Sequence, residues 1–303
     1  MDRSIGFIGL GIMGRPMARR LLEAGFPLLV NDVDACACAA LEQAGARTAS
    51  LEEIGRECGV VLTILPSGAV VREVLFSENG VARQLEPGSL VVDMSSVTPS
   101  ESKQCAEQLE AIGCRFLDCP VSGGEPGAES GTLAFMAGGH PEDFERAKPF
   151  FEAMGSSATL IGPNGSGSVT KLANQIIVNM GIAAVSEALV LATKAGTDPG
   201  LVFRAIRGGL AGSAVLDAKA PMMLRRDFRP GGKISINHKD IKNVMETAHT
   251  LDVPLPLTAQ LFEVMQALKV DGHMQDDHSG IVQYFERLAG VVVRSEHVEE
   301  DQV

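Results

Sequence analysis

Ile5-Gly6-Phe7-Ile8-Gly9-Leu10-Gly11-Ile12-Met13-Gly14 is the stretch on which the reading of the fold turns. A short apolar run with the character of a buried strand leads straight into a G-x-G-x-x-G, and a helical pattern follows from Met13 to Ala24. In that setting each glycine has a task. Gly9 permits a tight turn, Gly11 lets the backbone approach a pyrophosphate, and Gly14 lets the helix pack on the strand. The first N–H groups of the helix and its positive dipole end then face the phosphates. Gly9, Leu10, Gly11, Ile12, Met13 and Gly14 are therefore read as a cofactor loop. An acidic residue is due at the end of the second strand, about 20 residues on, and Asp32 follows Leu28-Leu29-Val30. Its carboxylate can accept from ribose hydroxyls and repels a 2′-phosphate, and no Arg or Lys follows it through Ala46. NAD(H) is the expected cofactor, with NADP(H) a weaker alternative. The competing reading is an ordinary strand–helix turn with a surface Asp.

Outward from this unit the pattern alternates. Leu28–Val30, Val60–Leu65 (ended by Pro66), Leu90–Asp93, Arg115–Leu117 and Thr132–Ala137 read as strands, and Cys36–Ala44 and Ser100–Ile112 as helices. This rhythm predicts an α/β, doubly wound parallel sheet of Rossmann type with helices on both faces. Leu65-Pro66 and Ser95-Ser96 each follow a strand at the edge a dinucleotide would cross. Leu65, Pro66 and Ser96 are thus cofactor candidates, although turn chemistry accounts for them equally well. Gly-Pro-Asn-Gly-Ser-Gly at 162–167 is a joint. A helical pattern then runs from Ser168 to Ala195 with Gly196 as its C-cap, roughly 42 Å at 1.5 Å per residue. Further helices are expected at 199–207, 213–224, 239–250, 256–269 and 277–289, with no strand among them. The expected organisation is a dinucleotide-binding domain over 1–163, an all-helical domain over 164–294 and a disordered acidic tail over 295–303.

Composition narrows the function. The 303 residues carry a net charge of −12, which argues against a nucleic-acid partner, since phosphate binding needs a basic face. An anionic substrate must then be drawn in by local cations. No apolar run reaches the length of a membrane span, and the first strand begins too near the N-terminus to leave room for a signal peptide. The six cysteines form no CxxC and read as thiols of a reducing cytoplasm. The six histidines form no HExxH, so no metal site is expected.

Two stretches carry candidate chemistry. Asp118-Cys119-Pro120-Val121-Ser122-Gly123-Gly124 follows a strand, and its Ser-Gly-Gly turn offers a hydroxyl and unobstructed backbone N–H groups as a carboxylate cradle. An ordinary glycine turn is the alternative. Lys171-Leu172-Ala173-Asn174-Gln175 opens the long helix. Positions i, i+3 and i+4 share a face, so Lys171, Asn174 and Gln175 cluster on a helix that is otherwise too apolar for a solvated surface. Hydride reduction of a carbonyl creates an alkoxide that needs a proton, and a positioned lysine can supply it. Lys239-Asp240, placed at the start of a later helix, and the glycine-rich link Arg207-Gly208-Gly209-Leu210-Ala211-Gly212-Ser213 have no assigned role from pattern alone.

Taken in order and spacing, the glycine loop, the Asp118–Gly124 stretch, the Lys171–Gln175 stretch and Lys239-Asp240 resemble the β-hydroxyacid dehydrogenase family, that of 3-hydroxyisobutyrate and 6-phosphogluconate dehydrogenases. The likeness runs from residue 4 to residue 290. Ser122–Pro126, Ala205–Ser213, Leu216–Pro221 and Asp277-His278-Ser279 further resemble the branch that reduces tartronate semialdehyde. The resemblance implies a Rossmann domain joined by the long helix to an all-α C-terminal domain. It implies Lys171 as catalytic acid/base, and Ser122, Gly123 and Gly124 as substrate holders with an amide of Asn174 or Gln175. It places Lys239 beside substrate and nicotinamide, and implies a small anionic semialdehyde or hydroxy acid as substrate. It also implies homodimers or homotetramers built through the helical domain. Two departures stand out. Many members place Asn four residues after the lysine, where this chain has Gln175, and Thr where it has Ser96. The rival readings are a sister dehydrogenase for 3-hydroxyisobutyrate or a four-carbon sugar acid, and a non-catalytic dinucleotide sensor on the same fold.

Overall fold

A computed structural model describes residues 4–297 of the chain. The chain divides into two compact units, Met1–Leu172 and Ala173–Val303.

The first unit is built on β1 (Ile5–Ile8), β2 (Leu28–Asn31), β3 (Arg47–Thr48), β4 (Val60–Thr63), β5 (Leu90–Asp93), β6 (Arg115–Asp118), β7 (Val121–Ser122), β8 (Leu133–Gly138) and β9 (Gly155–Gly162). Its strand order begins β3-β2-β1-β4-β5-β6, all parallel, the doubly wound order with its switch point between β1 and β4. The inner strands β1, β2, β4 and β5 are mostly apolar because both faces are covered, whereas the edge strand β3 is polar and exposed. Register lines show this directly. Phe7, Val30, Leu62, Val92 and Leu117 lie in the core on one face, with Met17 and Leu21 of the helix after the glycine loop. Leu29, Val61, Val91 and Phe116 lie in the core on the other face, against Ile54, Val71, Leu75 and Leu109. Gly6 belongs to this second line, and a Cβ there would sit 2.4 Å from Ile54 Cγ2.

The doubly wound parallel sheet expected from the sequence is present, and it is extended at one edge by an antiparallel addition. β8 pairs antiparallel with β6 and β7, and β9 adds parallel to β8. β7 and β8 run antiparallel, so residues 123–132 between them, helical at 124–130, reverse the chain within the sheet instead of crossing over it. Residues 51–57, 68–76, 124–130 and 141–154 are also helical, beyond the two helices expected here after the first. Two of the extra helices start at side-chain caps: Ser50 forms a capping box with Glu53, and Ser67 accepts from Val70 N.

In the second unit the regular elements among the described residues are helices joined by loops, with one isolated bridge between Lys233 and Asp277. The long helix, Ser166–Lys194, closes as expected, with Gly196 at φ +79° and its N–H on Thr193 O. Its 18-residue apolar window has a mean hydropathy of 1.9, so one run does reach the length and composition of a membrane span, contrary to the expectation above. Composition does not decide its environment. Gln175, Asn179 and Ser186 on it are buried in the protein at 6%, 0% and 0% exposure. The helix bearing Lys239 runs Ile234–Thr250, so Lys239 lies in its second turn rather than at its start. Of the tail expected from residue 295, Ser295 bonds Asp198 through its hydroxyl at 2.8 Å and Leu224 O through its N–H, and residues 298–303 lie outside the described residues.

Candidate active site

The glycine loop is shaped by contacts that side chains would destroy. Gly9 has φ +99°, a conformation that favours glycine, and a Cβ on Gly14 would lie 1.9 Å from Gly9 O. Gly11 differs, because a Cβ there would meet nothing within 4 Å. Packing does not demand glycine at that position, whereas a ligand approaching the backbone would. The following helix, Gly14–Glu23, has Met13 at its N-cap without a side-chain cap bond and no acidic residue in its first turn, which suits an anion at its N-terminus. Asp32 closes the loop from the end of β2, accepting from Leu10 N at 2.5 Å and from Asp34 N at 2.8 Å. The backbone at Gly11 and the carboxylate of Asp32 could therefore hold the pyrophosphate and a ribose of a dinucleotide.

The next two edge turns share one buried network. Thr63 Oγ1 donates to Asp93 Oδ1 at 2.8 Å, Ser95 Oγ donates to the same oxygen at 2.5 Å, and Leu65 N donates to Ser95 Oγ at 2.8 Å. Thus β4 ends at Thr63 rather than Leu65, and Leu65-Pro66 is a loop tied to the turn after β5. Ser95 is buried at 1% and serves this network, while its neighbour Ser96 is half-buried. The residues beneath Leu65 were not legible as a site, although a Thr and an Asp ending adjacent strands is the pattern that would reveal them.

Beyond β6 the Ser122-Gly123-Gly124 turn has φ +140° at Gly123 and +62° at Gly124, so both glycines are conformationally required. Ser122 is half-buried and both glycines are exposed. Lys171, half-buried, donates from Nζ to Val121 O at 2.7 Å, which places its ammonium beside this turn within the first unit. Asp118, buried at 1%, receives Gly165 N at 2.7 Å and Ser168 N at 2.8 Å at the start of the long helix. Burial pushes its carboxyl up to about 6, against the lowering effect of those N–H groups. Burial also drives the Cys119 thiol well above its ordinary value, so it is no nucleophile at neutral pH.

In the second unit a polar chain surrounds Gln175. Its Nε2 donates to Asp240 Oδ2 at 2.6 Å and Asn237 Oδ1 at 3.2 Å, and its Oε1 accepts from Asn174 Nδ2 at 3.1 Å. Lys239 Nζ pairs with Asp240 Oδ1 at 3.0 Å. Gln175 is thus buried and engaged, whereas Asn174 is half-buried. Asn237 and Asp240 had no role assigned from pattern; their i, i+3 spacing beside Lys239 is the only trace. Among the described residues no three His, Cys, Asp or Glu side chains come together as a metal site.

The chain matches two family models. The NAD binding domain of 6-phosphogluconate dehydrogenase matches residues 4–162, and the NAD-binding domain of NADP-dependent 3-hydroxyisobutyrate dehydrogenase matches residues 165–285. It is 43% identical to the 2-hydroxy-3-oxopropionate reductase of Escherichia coli K12, over 94% of this chain and 98% of that one. It is 33% identical to the L-threonate dehydrogenase of Cupriavidus necator, over 94% and 97%. A crystal structure of 3-hydroxyisobutyrate dehydrogenase from Salmonella typhimurium superposes with a TM-score of 0.85 at 31% identity, covering 93% of this chain and 99% of that one. The glycine loop, the turn after β7 and the lysine held beside it therefore belong to a member of the β-hydroxyacid dehydrogenase family, an NAD(P)-dependent oxidoreductase acting on CH–OH groups.

Proposed function

We propose that the enzyme interconverts tartronate semialdehyde (2-hydroxy-3-oxopropanoate) and glycerate, with NADH as the preferred reductant. The observation that carries the reaction class is the 2.7 Å contact between Lys171 Nζ and Val121 O, which sets an ammonium beside the Ser122-Gly123-Gly124 turn. Bound NADH supplies the hydride. The glycine turn holds the substrate carboxylate through backbone donors and the Ser122 hydroxyl. Lys171 delivers its proton to the oxygen of the nascent alkoxide, and takes it back in the oxidative direction. Asn174 lies one turn beyond Lys171 on the same helix and serves as the substrate amide. Gln175, spent on Asp240 and Asn237, orients Asn174, and Lys239 is a further substrate and nicotinamide residue on the family resemblance. Asp32 sets the preference for NADH.

The choice of substrate follows the E. coli relative and the amide pair. 3-Hydroxyisobutyrate and its aldehyde carry a methyl where tartronate semialdehyde carries a hydroxyl. An amide placed to pair that hydroxyl is left unsatisfied by the methyl, at a cost of roughly 1–3 kcal/mol. The kcat/KM for tartronate semialdehyde should therefore exceed that for methylmalonate semialdehyde by at least about tenfold with NADH. Equal values would move the enzyme to the hydroxyisobutyrate reading and leave Lys171 and the cofactor loop in place.

Self-association through the second unit completes the proposal. Leu191 and Leu288 are 71% and 67% exposed and line one groove of about 630 Å³ with Ala184, Ala188, Val190 and Phe285. Contiguous apolar surface of this kind suits a second copy of the chain. The five buried thiols and one exposed thiol, none in a disulfide, suit a cytoplasmic compartment.

A further inference from the structure

We propose that Asp118 is a positioning residue for proton transfer, clamping the first turn of the long helix so that Lys171 Nζ is held against Val121 O. This rests on the reading of Lys171 as the proton donor. The contacts form a closed ring. Asp118 Oδ1 and Oδ2 accept from Gly165 N at 2.7 Å and Ser168 N at 2.8 Å. Three residues past Ser168, Lys171 reaches back to the carbonyl of Val121, itself three residues past Asp118. Both sides of the ring are then short, and the position of the ammonium depends on how firmly the carboxylate seats the helix.

The seat is built for close approach. A Cβ on Gly138 would lie 2.7 Å from Asp118 Oδ1, and one on Gly167 would lie 2.3 Å from Met136 O and 2.4 Å from Asp118 O. Helix and strand ends touch there only because both residues are glycine. Ser168, buried at 1%, adds a 2.8 Å bond between its hydroxyl and that of Ser102. Two N–H donors converge on one side chain, and only a carboxylate accepts at both of its oxygens. An amide of the same shape keeps one bond and turns an NH2 group toward the other donor. The carboxyl is buried and raised to about 6, so the protein keeps it ionised at neutral pH against its own stability. A residue retained against a stability cost is expected where function depends on it.

The test is steady-state kinetics of Asp118→Asn with NADH and tartronate semialdehyde, beside NADH binding by fluorescence. Misplacing a reacting group by an ångström costs about 10²-fold in rate. We expect kcat to fall by about 10- to 100-fold, with KM and the Kd for NADH within about threefold of wild type. A kcat within about threefold of wild type, or a loss shared equally by KM or NADH affinity, overturns the proposal. The double variant separates positioning from general damage: adding Asp118→Asn to Lys171→Ala should leave the residual turnover unchanged, since the effect runs through the missing amine. A further loss in the double variant refutes it. If Lys171→Ala alone keeps normal turnover, the reading of Lys171 fails; if that variant is inactive while Asp118→Asn is normal, only the clamp fails. Should Asp118→Asn not fold, Ser168→Ala removes a hydroxyl that also hydrogen-bonds the Asp118 carboxylate and keeps both backbone donors. It should lower kcat by about threefold or more at unchanged NADH affinity, and an unaltered kcat overturns the proposal.

Discussion

Asp118→Asn should change how the stability of the enzyme depends on pH, and the size of the change follows from the site. The carboxyl is buried at the end of β6 and its pKa stands at about 6 in the folded chain, against an ordinary value of 3.8. An acid with a raised folded pKa binds its proton more tightly folded than unfolded. Its contribution to stability is therefore fully present below about 3.8, declines as pH rises, and is gone above about 6. The difference of about 2 pH units corresponds to about 3 kcal/mol at 1.36 kcal/mol per unit. An asparagine does not titrate and is blind to that window. The assay is urea unfolding of wild type and variant at steps from pH 4 to pH 7.5, taking the difference between the two at each pH so that all other titrations cancel. Relative to the variant, the wild type should lose roughly 2–3 kcal/mol across the range, most of it below pH 6.5. A difference that is flat with pH, or that grows in favour of the wild type as pH rises, would refute the reasoning. It would mean that the N–H groups of Gly165 and Ser168 outweigh burial.

The remaining expectations concern function and assembly. Lys171→Ala should lower kcat by roughly 10²- to 10⁴-fold while NADH binding stays intact; near-normal turnover would remove the amine from the mechanism. Asp32→Ala should narrow the preference for NADH over NADPH in paired kcat/KM measurements, and a wild type that uses NADPH better would show that the carboxylate does not set the choice. Leu191→Glu and Leu288→Glu should each shift the sedimenting species toward the 31.9 kDa chain, whereas a wild type already monomeric at micromolar concentration would exclude the groove as a self-association face.

What the sequence made legible divides along a physical line. The cofactor loop could be read because its demands are local. Gly9 and Gly14 answer to a turn and a helix–strand approach within six residues, Gly11 leaves open space at the backbone between them, and Asp32 directly follows the neighbouring strand. β1, β2, β4, β5 and β6 could be read because strands covered on both faces become unbroken apolar runs. Helices of seven and nine residues, Leu51–Glu57 and Gly68–Phe76, give too little periodicity to register, though Ser50-x-x-Glu53 marks one start. β9 escaped because its edge position leaves it half-exposed, without a core pattern. The site itself was legible only as residue types. Lys171 and the Ser122-Gly123-Gly124 turn could be named, but the atom that joins them is the carbonyl of Val121, and a carbonyl leaves no mark in a sequence.

The same holds for Gln175, whose amide is taken up by Asp240 and Asn237, more than sixty residues away along the chain. Asparagine and glutamine at 174 and 175 look interchangeable as text, and the fold separates them by giving one a buried pair of acceptors. A longer side chain at 175 reaches those acceptors and still takes the N–H of Asn174. The buried glutamine at 175 thus leaves Asn174 as the more accessible amide of the two. On this account Asn174 and Gln175 act as one unit, and a substitution at either should disturb the other's contacts before it disturbs the fold.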